Sequence, residues 1–189
     1  MTLGEGKRKV LMLLDEYSSG GELTVDEDIE KKMADFFDTA QKNMASFKRI
    51  VRTQEIALTG GEGERVLYDL PADFAGAFRV WKGDRLKQYP IIGGKLAAGP
   101  EETGALLLLE YFAVPGTIGP DTADTYTFEV SEDAAACLPF FVAAQQLMPD
   151  LVVDYSAFLN TYYAMRNALD VRLPGCGAGG VRQALFAGR

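Results

Sequence analysis

The spacing of apolar residues changes twice along the chain, and this change is the strongest constraint on the fold. From Ile29 to Phe47 apolar side chains recur every three or four residues, which predicts an amphipathic helix. From residue 50 to residue 130 short β-prone segments alternate with glycine, proline and aspartate clusters, which predicts an antiparallel sheet or a small barrel. Helical spacing returns between residues 131 and 169. The sequence therefore predicts helices, then strands, then helices.

The helix predicted to run from about Thr24 to Arg49 carries the clearest signals. Thr24 and Glu27 have the spacing of a capping box, and acidic residues follow where the helix dipole favours them. Its predicted apolar face consists of Ile29, Met33, Phe36, Phe37, Ala40, Met44 and Phe47. A shorter helix is predicted before it, over residues 7–16. The returning helices are predicted to begin after Ser131, with Pro139 bending the first of them or shifting its start.

The β-prone region divides into short predicted strands. They cover residues 50–58, 65–70, 78–81, 86–92, 105–114 and 126–130. Gly93 and Gly94 predict a turn. Glu110 lies inside the most apolar of these strands, and we expect it to face outward rather than to act as a buried acid.

These patterns together predict an α+β protein. We expect the N- and C-terminal helices to form one helical bundle, with an antiparallel β-subdomain inserted between them and an extended tail at the C-terminus. The predicted divisions are residues 1–49 for the first helices, 50–130 for the β-subdomain, 131–170 for the last helices and 171–189 for the tail.

Composition argues against several functional classes. The formal net charge is −8, which does not suit a protein that binds nucleic acid by neutralising phosphates. The sequence contains 0 histidines, so the commonest general base and metal ligand is missing. Asp121 and Asp124 share a loop but lack the spacing of a calcium site, and the glycine cluster at residues 60–64 lacks the lysine of a phosphate-binding loop. We therefore expect no catalytic site, no cofactor, no metal and no membrane association.

The last residues combine glycines with apolar side chains. The predicted hinge consists of Gly175, Gly177, Gly179 and Gly180. The residues predicted to dock on another polypeptide are Leu173, Val181, Arg182, Leu185, Phe186 and Arg189. A frayed terminus is the alternative interpretation.

Five segments carry a likeness to a known family. They are DFFDTAQKNMA (35–45), LPADF (70–74), EYFAVPGTI (110–118), FEVSEDAAACLPFFVAAQQL (128–147) and DYSAFLNTYYAMRNAL (154–169). In their order and residue pattern they resemble the head–tail adaptor proteins of tailed bacteriophages, also called connectors, of the head-completion or tail-tubular type. The likeness spans about residues 24–169.

The resemblance implies a structural virion protein of the neck, assembled in the host cytoplasm. Such adaptors form a homo-oligomeric ring, expected to be dodecameric, beneath the portal protein. The ring lengthens the DNA channel without binding DNA specifically and offers a platform for tail, stopper or nozzle proteins. Their C-terminal segment commonly threads into the outer surface of the portal. Here that role would fall on Val181, Leu185 and Phe186, with Arg182 and Arg189 pairing with portal acids.

The residues alone leave two other functions open. One is a small-molecule or carbohydrate-binding α+β module that uses the aromatic side chains of the sheet, Tyr68, Trp81, Tyr89, Tyr111 and Tyr126. The other is a hydrolase that uses a pair of carboxylates.

Overall fold

The computed structural model describes residues 1–15, 27–60, 63–149 and 154–172. The described helices are α1 (Leu3–Asp15), α2 (Glu27–Phe47), the single turn α3 (Glu132–Ala135), α4 (Leu138–Leu147) and α5 (Ser156–Asn167). The described strands are β1 (Ile50–Ala57), β2 (Val66–Asp69), β3 (Phe74–Lys82), β4 (Arg85–Lys87), β5 (Ile91–Ile92), β6 (Lys95–Ala98) and β7 (Leu106–Ala113). A 3₁₀ turn, Pro100–Glu102, precedes β7. The protein is therefore mixed α+β, as the sequence predicts, and the strands of its described part pair in antiparallel fashion.

The helices share one hydrophobic core, although the strands separate them in the sequence. Helix α4 packs against α1, α2 and α5. The predicted apolar face of α2 supplies Met33, Phe37, Ala40 and Met44, all of which are fully buried. Gly6 of α1 lies so close to α2 that an added Cβ would stand 2.9 Å from the Phe37 ring. The missing side chain at this position allows α1 to approach α2.

The strands form a second core. One sheet has the order β1-β7-β3-β4 and the other has the order β2-β6-β5. Along β7 the side chains alternate: Leu107, Leu109, Tyr111 and Ala113 are buried, and the intervening residues lie on the opposite face. The buried face packs with Leu96 and Ala98 of β6. Ile50, where β1 begins, contacts both this core and the helical one.

Two predicted strands are wrong. Residues 86–92 are not one strand, because Pro90 has no amide hydrogen to donate and separates β4 from β5, which belong to different sheets. Residues 126–130 form no strand. They make the single bridge Thr2↔Thr127, since helix α1 begins at Leu3 and leaves no strand to pair with.

Pro139 interrupts the predicted returning helix. Ser131 occupies the N-cap position of α3, as predicted, and α3 ends after one turn. Helix α4 then starts at Leu138, with Pro139 in its first turn. Proline is tolerated there because an amide hydrogen at that position has no acceptor within the helix. Cys137, at the join, is buried in the helical core.

The turn at Gly93–Gly94 is confirmed and has a specific backbone requirement. The two glycines connect β5 to β6 with φ angles of +58° and +78°, as a type I′ hairpin requires. An added Cβ at Gly94 would meet nothing within 4 Å, so a substitution there tests backbone strain alone.

We expect Gly94→Ala to lower the free energy of unfolding by about 1 kcal/mol, because alanine is strained at a positive φ. Gly119→Ala is the matched control, since an added Cβ at Gly119 also meets nothing within 4 Å and its φ is not in the positive range. The control is expected to be neutral or slightly stabilising. Urea unfolding followed by circular dichroism measures both, and equal effects of the two changes would contradict the assignment of strain to Gly94.

Candidate interaction surface

The docking tail and hinge predicted from the sequence lie outside the described residues. This applies to every member, namely Leu173, Gly175, Gly177, Gly179, Gly180, Val181, Arg182, Leu185, Phe186 and Arg189. Their roles stay predictions.

Within the described ranges, no cluster of three or more acidic or cysteine side chains is placed to hold a metal ion. Asp124, one of the two loop carboxylates considered as a cation ligand, instead accepts a hydrogen bond from Lys7, whose Nζ lies 2.8 Å from Oδ1. None of the described helices is both long and apolar enough to cross a membrane.

The most conspicuous surface is the side of the four-stranded sheet that faces away from the β core. We call it the outer sheet face. It consists of Val51, Thr53, Glu55 and Ala57 from β1, Phe78, Arg79 and Trp81 from β3, Leu86 from β4, and Leu106, Leu108, Glu110 and Phe112 from β7. Leu86, Leu106 and Leu108 are 58%, 53% and 38% exposed, so large apolar side chains from two strands are exposed on this one face.

The strand register arranges the outer sheet face in rows. Leu86 lies opposite Trp81, Trp81 opposite Leu108, and Leu108 opposite Glu55, so one row crosses all four strands. A β-bulge between Ala77 and Arg79 brings the Phe78 ring within 5.3 Å of the Phe112 ring, centroid to centroid. Apolar side chains therefore lie on both sides of Arg79 along β3, with Phe78 on one side and Trp81 on the other.

A pair of opposite charges lies at the centre of the outer sheet face. Arg79 and Glu110 are opposite each other in the register, and their nearest nitrogen and oxygen are 3.7 Å apart. Each side chain is 23% exposed. The Arg79 guanidinium also lies over the Phe78 ring, at 4.4 Å from its centroid. The outward position of Glu110 is as predicted, and its ion pair explains how a carboxylate is accommodated in an apolar strand.

Sequence reasoning missed Arg79 and Leu86 as members of this face. The signal available was the alternation along β7, which identifies Leu106 and Leu108 but not their neighbours. The bulge at Phe78 shifts the alternation of β3 by one residue, so Phe78 and Trp81 share a face despite their odd spacing.

A second polar cluster joins the helical core to the sheet. We call it the junction network, and it consists of Gln41, Arg52, Asp73, Tyr111, Tyr126 and Glu129. Arg52 forms ion pairs with both Asp73 and Glu129. The Tyr111 hydroxyl donates to the Asp73 carboxylate at 3.0 Å, and the Glu129 backbone amide donates to the side-chain oxygen of Gln41 at 2.9 Å. These bonds connect α2, β1, β7 and the two loops that flank the sheet.

Electrostatics within the junction network follow from its partial burial. Burial alone would lower the pKa of Arg52, but the carboxylates of Glu129 and Asp73 raise it above its ordinary value. Burial raises the pKa of Tyr111, and the neighbouring Asp73 adds to this. Tyr111 is therefore a neutral hydrogen-bond donor near neutral pH, and Arg52 is a permanent cation between two acids.

Asp133 links the start of α3 to the residue after α2. Hydrogen bonds, first from Lys48 and then from Ser131, hold the pKa of Asp133 down at about 2, against an ordinary value of 3.8. The Lys48 Nζ lies 2.5 Å from Oδ2. Since the folded protein binds this proton less tightly than the unfolded chain does, the contribution to stability is present above pH 3.8 and is lost as the pH falls through about 2.

We expect Asp133→Asn to be less stable than the wild type at neutral pH, with the difference disappearing below pH 2. Urea unfolding at a series of pH values measures the difference. Glu132→Gln removes the same charge one residue away and is the matched control. A difference between Asp133→Asn and the wild type that stays constant into strong acid would contradict the role of this ion pair.

The five aromatic side chains considered for ligand binding do not share one surface. Trp81 lies on the outer sheet face, whereas Tyr111 points to the buried side of the same sheet. Tyr68 and Tyr89 pack against the β core, and burial raises the pKa of Tyr89 to about 12. Tyr126 packs against the helical core. These rings therefore do not form a stacking platform for a sugar or other flat ligand.

The sequence matches no known protein-family model and no curated protein. The functional proposal therefore rests on the chain's own residues and surfaces, together with the resemblance described above.

Proposed function

We propose that this protein is a structural virion protein, a head–tail adaptor of a tailed bacteriophage. It forms a ring of identical subunits beneath the portal, extends the DNA channel and provides the platform to which tail, stopper or nozzle proteins attach. Its partners are the portal, those tail proteins and further copies of itself, and DNA passes through without specific contacts. It assembles in the host cytoplasm and resides in the neck of the particle.

The packing of the helices supports the architecture expected of such an adaptor. Helices α1 and α2 precede the strands and α4 and α5 follow them, yet all four contribute to one core. This shared core supports the proposed architecture, a helical bundle with a β-subdomain inserted between its halves. The junction network fixes the insert on the bundle, since Gln41 of α2 bonds to Gly116 and Glu129, and Glu129 in turn pairs with Arg52 of β1.

The observation that carries the proposal is the outer sheet face. Its three long strands have eight or nine residues each. With strands ~4.8 Å apart and a rise of ~3.4 Å per residue they cover roughly 400 Å². Exposed apolar side chains occupy only part of this area, because Thr53, Glu55, Arg79 and Glu110 share the face. Exposed apolar surface gathered on one face of an isolated chain often marks an interaction site. A subunit of an assembly buries such a surface against its neighbours.

The C-terminal segment is proposed as the contact with the portal. Ordering a glycine-rich segment costs about 1–2 kcal/mol per residue. Burying one large apolar side chain such as Leu185 or Phe186 stabilises the complex by about 1.5–3 kcal/mol. One tail therefore binds weakly, but a ring presents many tails at once, and the high effective concentration makes the combined attachment strong.

Portal capture tests the proposal directly. The affinity-tagged protein is mixed with the portal protein encoded in the same genome, with and without residues 174–189. We expect the full chain to retain the portal and the truncated chain to lose it. Equal capture by both chains would contradict the docking role of the tail, and a genome without a portal gene would contradict the whole proposal.

Substitutions inside the tail separate apolar docking from a general effect of truncation. Leu185→Asp with Phe186→Asp removes the two largest apolar side chains, and we expect portal capture to be lost. Gln183→Asp with Ala184→Asp adds the same two charges at the adjacent positions and is expected to retain capture. Loss in both variants would show that charge, rather than apolar contact, decides the binding.

A further inference from the structure

We infer that, in the free protein, the outer sheet face is covered by a second copy of this chain in a two-fold symmetric dimer. This goes beyond the proposed function, because it concerns the form that the protein takes before it joins an assembly. Two features of the face select the same chain as its occupant, namely the arrangement of its charges and the arrangement of its apolar side chains. Its size sets the expected strength of the dimer.

The charges at the centre of the face complement themselves. Arg79 on β3 and Glu110 on β7 are directly opposite in the register of adjacent strands. A two-fold axis that runs parallel to the strands, midway between β3 and β7, places Arg79 of one copy over Glu110 of the other, and the reverse. Both cations then meet an anion within their own sheet and another across the interface. A face with a single sign of charge would repel its own copy.

The same axis matches the apolar side chains at the centre of the row, and at the edges of the interface it places Glu55 of β1 over Leu86 of β4. Trp81 and Leu108 are also opposite in the β3–β7 register, so Trp81 of one copy lies over Leu108 of the other, and the reverse. The stacked rings of Phe78 and Phe112 flank the same strand pair, nearer its other end. Two sheets packed in this way lie about 10 Å apart, which long side chains such as tryptophan, phenylalanine and arginine fill.

The size of the face sets the expected strength. A specific interface buries about 800 Å² of accessible surface on each partner. The outer sheet face covers roughly 400 Å² in projection. Its side chains add accessible surface, but the face still falls at the small end of the range of specific interfaces. The dimer is therefore weak enough to dissociate on dilution and to release the face when a different partner competes for it.

A charged residue on the outer sheet face tests its involvement. In a dilution series followed by sedimentation velocity, we expect the wild type to shift from dimer to monomer and Leu108→Asp to remain monomeric throughout. Leu67→Asp is the matched control, because Leu67 is a comparably exposed leucine, at 46%, on β2 of the other sheet. A wild type that is monomeric at every concentration, or a Leu108→Asp variant that dimerises like the control, would overturn the inference.

An exchange of the two central charges tests the symmetry. The variant Arg79→Glu/Glu110→Arg keeps the ion pair within each sheet but reverses its direction. We expect this variant to pair with itself, whereas a mixed pair with the wild type sets arginine over arginine and glutamate over glutamate. Tagged wild type is therefore expected to retain untagged wild type and to retain roughly one-tenth or less as much of the variant.

Free mixing of the two forms would overturn the two-fold arrangement. Should the exchanged variant fail to fold, as judged by its circular dichroism, the comparison of Leu108→Asp with Leu67→Asp still decides whether this face is the interface. Portal capture is a separate measurement that uses residues 174–189, so the dimer and the proposed function can fail independently.

Discussion

Replacing Gln41 with methionine is expected to lower the free energy of unfolding by about 3 kcal/mol. Gln41 is 0% exposed, the one polar residue of the described chain that is fully buried. Its amide nitrogen donates to the Gly116 carbonyl at 3.2 Å and to the Tyr126 hydroxyl at 3.1 Å, while its oxygen accepts from the Glu129 amide at 2.9 Å. Methionine matches the side chain in length but leaves the Gly116 carbonyl and the Glu129 amide without these bonds, whereas the Tyr126 hydroxyl keeps its bond to Glu129. Each unsatisfied buried group costs about 1–3 kcal/mol.

Gln54→Met is the matched control for this change. Gln54 is exposed on β1, and its side chain bonds only to the neighbouring Glu55 carbonyl among the described contacts. A substitution at such a position changes stability by less than about 0.5 kcal/mol. Urea unfolding compares the two variants, and a Gln41→Met variant no less stable than the control would show that water replaces the lost bonds.

The second large effect is expected for Arg52→Met, which should destabilise the protein by about 2 kcal/mol. Arg52 is the cation between Asp73 and Glu129, and its side chain is 39% exposed. Breaking a buried ion pair costs about 3–5 kcal/mol, whereas an exposed pair contributes less than about 1 kcal/mol. A half-buried arginine that leaves two carboxylates close together falls between these limits.

Two further variants make the Arg52 prediction specific. Arg85→Met removes an exposed arginine from β4 and is expected to have little effect. The double variant Arg52→Met/Glu129→Gln should lose less than the sum of its single changes, because neutralising Glu129 relieves the repulsion that the first change creates. Additive losses measured by urea unfolding would indicate that Arg52 and Glu129 do not interact energetically.

The helices were the most predictable part of this fold, because their apolar spacing is a local signal. Strand β3 begins four residues before the predicted start, since Gly76 and Ala77 have no preference for extended backbone and pair only because β7 lies beside them. The division of residues 86–92 between two sheets has the same origin. Local preference indicates that Leu86 and Ile91 are β-prone, but the choice of partner strand depends on residues far away in the sequence.

The interaction surfaces were predictable to a smaller extent. Gln41 has a readable signal, because it follows Phe37 by four residues and so falls within the apolar stripe of α2. Its partner Glu129 is 88 residues away, and no local pattern connects the two. The predicted docking tail lies outside the described residues, so its role stays a prediction that portal capture can test.

Trp81 gives the outer sheet face its own optical reporter. The chain contains one tryptophan, and that indole lies beside Leu108 in the row that crosses all four strands. Its emission wavelength and its quenching by iodide therefore depend on how much water reaches this face. A fluorescence titration of unlabelled protein can follow the covering of the sheet by any binder, whether that binder is another copy or a neck component.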